Sequence, residues 1–200
     1  MLSFILMEIK PVILEGTYVR LEPLSLSHHP GLCKIGLDSG LWELTTTNIK
    51  TPEDLKNYME TALQSEKAGT ALPFAIVDKA TAKPVGSTRY GNIDKDHRRL
   101  EIGWTWIGKQ WQRTPINTET KLLLLTHAFE TLNCIRVEFK TDSLSERSRN
   151  ALLRIGAKEE GIFRNHMITP SGRLRHTVYY SIIKSEWPRV KSGLQEKLKQ

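Results

Sequence analysis

Cysteine is scarce in this chain: of 200 residues only Cys33 and Cys134 carry a thiol, far apart and with no metal-ligand spacing. Both fall in apolar helical or helix-end contexts, where a free thiol acts as a small hydrophobe. This usage points to a reducing, cytoplasmic setting. The six histidines add no zinc pattern, since only His28 and His29 are adjacent and the rest are dispersed. No metal is expected. No run approaches the ~20 apolar residues of a membrane helix, so no membrane partner is expected either. Met1 to Met7 is apolar but short, without a basic start or a small-residue cleavage site. It reads as an upstream extension, with Met7 as a second possible start, and not as a signal peptide. Repeats, linkers and low-complexity stretches are absent as well.

What is present fits one mixed α/β domain over residues 16–200, preceded by an extension over 1–15. A chain of this length is ordinary for a single compact unit, since domains reach ~250 residues. The formal net charge is +7. A basic surface can meet nucleic acid or acidic proteins, but no nucleic-acid-binding motif accompanies it. Nucleic acid is therefore not an expected partner. Scattered lysines and arginines on a solvated face, with a cluster in the last fifteen residues, account for the charge equally well.

Local signals place the elements. Tyr18 to Pro23 alternates as a first strand, and a short helix follows His28 to Gly36 or Gly40. Thr51 caps a helix begun by Pro52, with Asp54 complementing the dipole. Leu55, Tyr58, Met59, Ala62 and Leu63 share one face of it. Pro73–Asp78 and Lys83–Tyr90 form a hairpin. Ser143 and Glu146 have capping-box spacing ahead of a helix that ends at Gly156. Two strands over 157–168 and 174–183 meet at Pro170-Ser171-Gly172. An amphipathic helix covers 185–199.

The segment from Glu101 to Thr141 carries the chemistry. A strand, Leu100 to Ile107, alternates and is rich in aromatic and β-branched residues. The polar turn Gln112-Arg113-Thr114-Pro115-Ile116-Asn117-Thr118-Glu119 then opens an apolar helix through Leu132, and Ile135 to Thr141 closes the unit as a second strand. A helix that starts straight after a strand offers unpaired N–H groups and a favourable dipole to an anion. Thr114 suits the N-cap and Pro115 the first helical position. That leaves the N–H groups of Ile116, Asn117 and Thr118 for a phosphate, with Arg113 able to add a charged contact. An ordinary capped helix start has the same signature.

This block resembles the cofactor-binding motif of the GNAT superfamily, the acetyl-CoA-dependent N-acetyltransferases, and is most similar to the branch that acetylates ribosomal-protein N-termini. Gly16 to Pro23, Pro84 to Ser87 and the tail from Gly156 to Pro188 match in the expected order. The resemblance implies an α/β GNAT fold: a twisted mixed sheet, split near Trp106, with helices on both faces. It implies transfer of acetyl from the cosubstrate acetyl-CoA to a primary amine, whether a small molecule or a protein, by direct attack in a ternary complex. No cysteine or serine is set beside a histidine as a covalent nucleophile requires. The alternative is a CoA-binding regulatory or interaction module with little catalysis. A homodimer is compatible with either.

By the resemblance, backbone groups of Trp106 and Ile107 pair with the pantetheine arm, while the two side chains serve packing. Gln112 keeps the first position of the phosphate turn, but Pro115 and Asn117 stand where glycines are usual. Ser145 replaces a usual asparagine that reaches the cofactor, and Ser148 faces the sulfur; both also suit a helix start. The usual tyrosine acid is replaced by Leu152. Glu101 is the candidate base that takes the proton of the attacking amine, or else a satisfied structural carboxylate. On strict alternation it lies opposite Leu100, Ile102, Trp104 and Trp106. Trp42, Arg89 and His166 are expected to flank the acceptor groove, as is Asn165.

Overall fold

The computed structural model describes residues 7–199, so the reading of Met1 to Leu6 as an extension lies outside the described residues. Eight strands form one sheet: β1 (Leu14–Glu15), β2 (Val19–Pro23), β3 (Leu72–Asp78), β4 (Lys83–Asp94), β5 (Arg99–Ile107), β6 (Arg136–Asp142), β7 (Lys158–Ile168) and β8 (Leu174–Ile183). Their order across the sheet is β1-β2-β3-β4-β5-β6-β8-β7, and every neighbouring pair is antiparallel except β5 and β6. The helices are α1 (His29–Gly36), α2 (Pro52–Lys67), α3 (Pro115–Thr126), α4 (Glu146–Arg154) and α5 (Trp187–Lys197).

Two apolar cores form because the sheet is covered on both faces. Helices α1 and α2 bring Leu32, Leu55, Met59 and Ala62 against Ala75, Val77 and Trp106 on one face. On the other, α3 and α5 bring Leu124, Leu125, Val190 and Leu194 against Phe74, Leu100, Val137 and Tyr180. Met7 is 2% exposed within this second core, and Leu14–Glu15 pairs with Leu21–Arg20. Residues 7–15 are thus packed into the body of the fold.

The predicted caps divide. Thr51 accepts from the Asp54 N–H in a capping box, and Thr114 caps α3 by accepting from the Ile116 N–H. Ser143 does not cap α4: its N–H donates to the His176 carbonyl, and Ser145 takes the N-cap position. The helix after Thr114 also changes form, with π-helical turns over His127–Thr131. Gly156, at φ +91°, and Gly172, at φ +83°, terminate α4 and turn the β7–β8 hairpin in the left-handed region.

Candidate active site

Strands β5 and β6 pair only from Arg99↔Arg136 to Glu101↔Glu138. Beyond that register they part. Residues 102–107 of β5, Trp106 among them, and residues 139–142 of β6 have no strand partner on the facing edge. The split therefore opens at Glu101 and leaves a wedge that runs toward the N-terminus of α3.

A bulge shapes one wall of the wedge. Ser87 pairs with Trp106 and Arg89 with Gly103, so a single β4 residue, Thr88, opposes two on β5. Trp104 carries the strain at φ +50°. The extra residue reverses the side-chain alternation beyond it. Leu100, Ile102 and Ile107 face α3, whereas Trp106 turns the other way and packs on Trp42, ring centroids 5.4 Å apart. Trp104 lies with Arg89, whose guanidinium is 5.0 Å from its ring. The expected face of Trp104 and Trp106 is thus corrected, because strict alternation cannot foresee a bulge. Gly86 also follows from this geometry: a Cβ there would overlap the Trp106 carbonyl oxygen.

Glu101 sits at the apex, 5% exposed, on the face away from α3. Its Oε2 accepts from Asn92 Nδ2 at 2.6 Å and pairs with Lys140 Nζ at 2.8 Å. Its Oε1 lies against Gly103, where any side chain would crowd it. Burial pulls the Lys140 ammonium down, but the hydrogen bond and charge of Glu101 outweigh it and leave this lysine above its ordinary value. Asn92 and Lys140 line a cavity of about 510 Å³ with Arg99, Arg136, Glu138, Glu160, Phe163 and Tyr179. Within it Arg136 Nε donates to Glu138 at 2.9 Å, and Arg136 also holds Glu160; that hydrogen bond first, then one from Ser181 and the Arg136 charge, keeps Glu160 below the usual carboxylate range despite some burial.

At the far end of the wedge, Gln112 Nε2 donates to the Ile107 carbonyl at 2.9 Å and its Oε1 accepts from Arg147 at 2.9 Å. Arg147 and Gln112 thereby tie the start of α4 to the turn before α3. Ser145 Oγ donates to Ser148 Oγ at 2.9 Å on the same stretch. Arg113 is exposed at φ +62°. Asn117 is half-buried in the first turn of α3, and Thr118 Oγ1 accepts from Arg154 at 3.3 Å.

These residues fit a phosphate-bearing arm: unpartnered strand edges for its amides, a helix N-terminus, and cations at Arg113 and Arg147. Sequence reasoning missed Arg147, Asn92 and Lys140. It also missed Lys121 of α3, 6% exposed, whose Nζ donates to Thr105 Oγ1 at 3.0 Å. Lys121 falls three, four and seven positions before Leu124, Leu125 and Ala128. A lysine on the apolar face of a helix was the available signal.

The expected acceptor residues fall in two places: Trp42 and Arg89 both pack on Tyr58, whereas His166 and Asn165 lie on β7. Trp42 is buried and donates from Nε1 to the Gly36 carbonyl at 2.7 Å. Arg89 is 7% exposed, 4.9 Å from the Tyr58 ring. His166 is on exposed β7, edge-on to Phe163 and Tyr179, and Asn165 beside it, at φ +50°, donates its N–H to His176. Of these, His166 packs on Phe163 and Tyr179, which line the cavity of Asn92 and Lys140. Among the described residues no cluster of three metal-ligating side chains occurs and no helix is long and apolar enough to cross a membrane.

Residues 19–158 match the family described as acetyltransferase (GNAT) domain. Over 96 residues the chain is 38% identical to YdaF of Bacillus subtilis (strain 168), provisionally named a ribosomal N-acetyltransferase. That match covers 48% of this chain and 51% of YdaF, so it spans about half the length of this curated relative. A GCN5-related N-acetyltransferase from Brucella melitensis superposes with a TM-score of 0.88 at 32% identity, covering 95% of this chain and 86% of the other. A provisionally assigned acetyltransferase from T. thermophilus gives 0.87 at 35% identity, covering 96% and 99%. The chain belongs to the GNAT family of N-acetyltransferases.

Proposed function

We propose that this protein transfers an acetyl group from acetyl-CoA to a primary amine by direct attack. The observation that carries the reading is the wedge between β5 and β6 with a buried, anchored carboxylate, Glu101, at its apex. When bound, acetyl-CoA supplies an activated acyl thioester. The N–H of Asn117 at the start of α3, with Arg113 and with Arg147 positioned by Gln112, holds its phosphate end; the Ile116 N–H is taken by the Thr114 cap and the Thr118 N–H by the helix itself, which corrects the expectation for those two. The free edge of β5 at Trp106 and Ile107 orients the arm and places N–H donors where negative charge develops. Glu101 takes a proton from the acceptor amine, directly or through one water, with Oε2 held by Asn92 and Lys140 and Oε1 left to act. In this reading Ser148 of α4 is the residue that faces the sulfur.

The acceptor enters from the cavity that Asn92 and Lys140 share with Arg99, Arg136, Glu138 and Glu160. Its alternating charges suit an amine carried on a polar, zwitterionic or peptide-like body. YdaF's provisional name makes ribosomal-protein N-termini the first acceptors to try, beside free lysine, polyamines and aminoglycosides. Calorimetry with acetyl-CoA tests the cofactor and is expected to give micromolar binding; an absence of heat at high protein concentration removes the reading. Thiol release across the amine panel tests turnover. Binding without turnover on any amine would favour a CoA-binding regulatory module, to which the ion pair on Glu101 and the apolar Leu152 lend support. Glu101→Gln is expected to lower kcat roughly 100-fold with acetyl-CoA affinity nearly unchanged.

A further inference from the structure

Lys121 is an amine in an unusual place. Its Nζ lies 3.0 Å from Thr105 Oγ1 on β5 and 5.8 Å from the Phe139 ring on β6. Both partners lie beyond the last paired register, Glu101↔Glu138, so Nζ stands between the two walls of the wedge, on the α3 side. Thr105 Oγ1 is itself shared with Thr88 Oγ1 at 2.8 Å. Among the described residues no carboxylate pairs with Lys121, so a group with three protons meets one hydroxyl.

The titratable groups around it are occupied elsewhere. Glu119 on the same helix accepts the N–H groups of Thr17, Tyr18 and Val19. Tyr90 of β4 donates to the Leu124 carbonyl, and its ring stacks on His127. Tyr180 of β8 donates to Glu159, Arg154 of α4 reaches Thr118, and Glu101 points to the opposite face with Lys140. Desolvation alone brings Lys121 down from 10.5 to about 7. Burying such a group with one weak partner destabilises the fold, so its presence here asks for a role outside stability.

We propose that Lys121 is the proton donor to the sulfur end of the acyl carrier in the wedge, an inference that rests on the acetyl-CoA reading above. As the new carbon–nitrogen bond forms, the electron pair of the carbon–sulfur bond stays with sulfur. The Nζ proton joins it to give the free thiol. Lys121 is left as a neutral amine and regains a proton from solvent before the next turnover, while Glu101 or its water takes the proton lost by the acceptor. The other side chains at the wedge supply that proton less readily: Leu152 is apolar, Ser148 Oγ is hydrogen-bonded to Ser145 and not to an acid, and Lys140 is held charged by Glu101.

The test reads Lys121 directly. In protein labelled at the lysine ε-carbon, NMR is expected to show one lysine titrating near neutrality, absent in Lys121→Met and displaced when CoA is added. Lys121→Met and Lys121→Arg are each expected to bind acetyl-CoA within about threefold of the parent by calorimetry and to lose roughly 100-fold in kcat at unchanged acceptor KM. The arginine variant keeps charge without surrendering a proton. If calorimetry shows CoA bound while the Lys121 resonance stays still, or if both variants turn over normally, the proton-donor role is wrong and the cofactor reading survives. If the parent binds no acetyl-CoA, both fall. Should Lys121→Met fail to fold, the parent's resonance decides alone.

Discussion

Glu119 illustrates how one side chain can act far from its place in the chain. It lies in the first turns of α3, yet its buried carboxylate accepts from Thr17 N at 2.8 Å, Tyr18 N at 2.6 Å and Val19 N at 2.8 Å. Those amides belong to the turn between β1 and β2 and to the first residue of β2, about a hundred residues earlier in the sequence. Hydrogen bonds to a charged acceptor are worth about 1.5–3 kcal/mol each, and truncation leaves the donors unsatisfied. Glu119→Ala is therefore expected to cost at least about 3 kcal/mol of unfolding free energy in a urea titration; a change below about 1 kcal/mol would show that water replaces the carboxylate. In the sequence this residue reads only as the last residue of the polar turn that opens α3. Lys140 and Asn92, which hold Glu101, were illegible for the same reason: their meaning lies in cross-strand neighbours. The strand that carries Glu101 was legible, because it and the helix start that follows are local patterns.

Element by element, the sequence reads well where caps and periodicity act over a few residues and less well where strands interrupt their own pattern. Thr114-Pro115 named the start of α3, and the hairpins closed at the expected turns. The Trp104 bulge escaped, since nothing in an alternating aromatic strand marks the extra residue. The same held for the cap of α4, where Ser143 is still engaged with His176 across the sheet edge. The N-terminus of α3 makes two opposite demands that one substitution separates. Asn117→Asp places a carboxylate in the first turn, which favours the isolated helix by about 0.3–1 kcal/mol. It also sets that charge where a phosphate is to sit. Acetyl-CoA affinity is expected to fall at least roughly tenfold by calorimetry while Tm holds or rises. A fall in both would mean that Asn117 serves packing and not the ligand.

For the molecule as a whole, the split sheet forgoes strand hydrogen bonds between β5 and β6 and places a buried amine beside the gap. Cores on both faces stabilise what the opening costs. This arrangement should appear in the pH dependence of stability. Lys121 has a folded pKa of about 7, depressed by burial below its ordinary 10.5. Between these values the unfolded chain binds the extra proton, so unfolding becomes harder as pH rises. The penalty, on the order of a few kcal/mol, is fully present below pH 7 and is relieved progressively above it. Glu22 and Glu160, held below the usual carboxylate range, contribute fully above about pH 4.5 and do not vary in this window. His127, lowered by burial, adds a small rise in the same direction near pH 6.5, where the unfolded histidine is still partly protonated, and it does so in both proteins. Above pH 9 the buried thiol of Cys134, pushed up to about 12 by burial first of all, opposes the trend by resisting ionisation. From pH 6.5 to 8.5, therefore, the parent should gain stability steadily in denaturant titrations, whereas Lys121→Met starts more stable and rises much less, through His127 alone near the lower end. Parallel curves for the two proteins would mean that Lys121 is solvated in solution and that the wedge admits water.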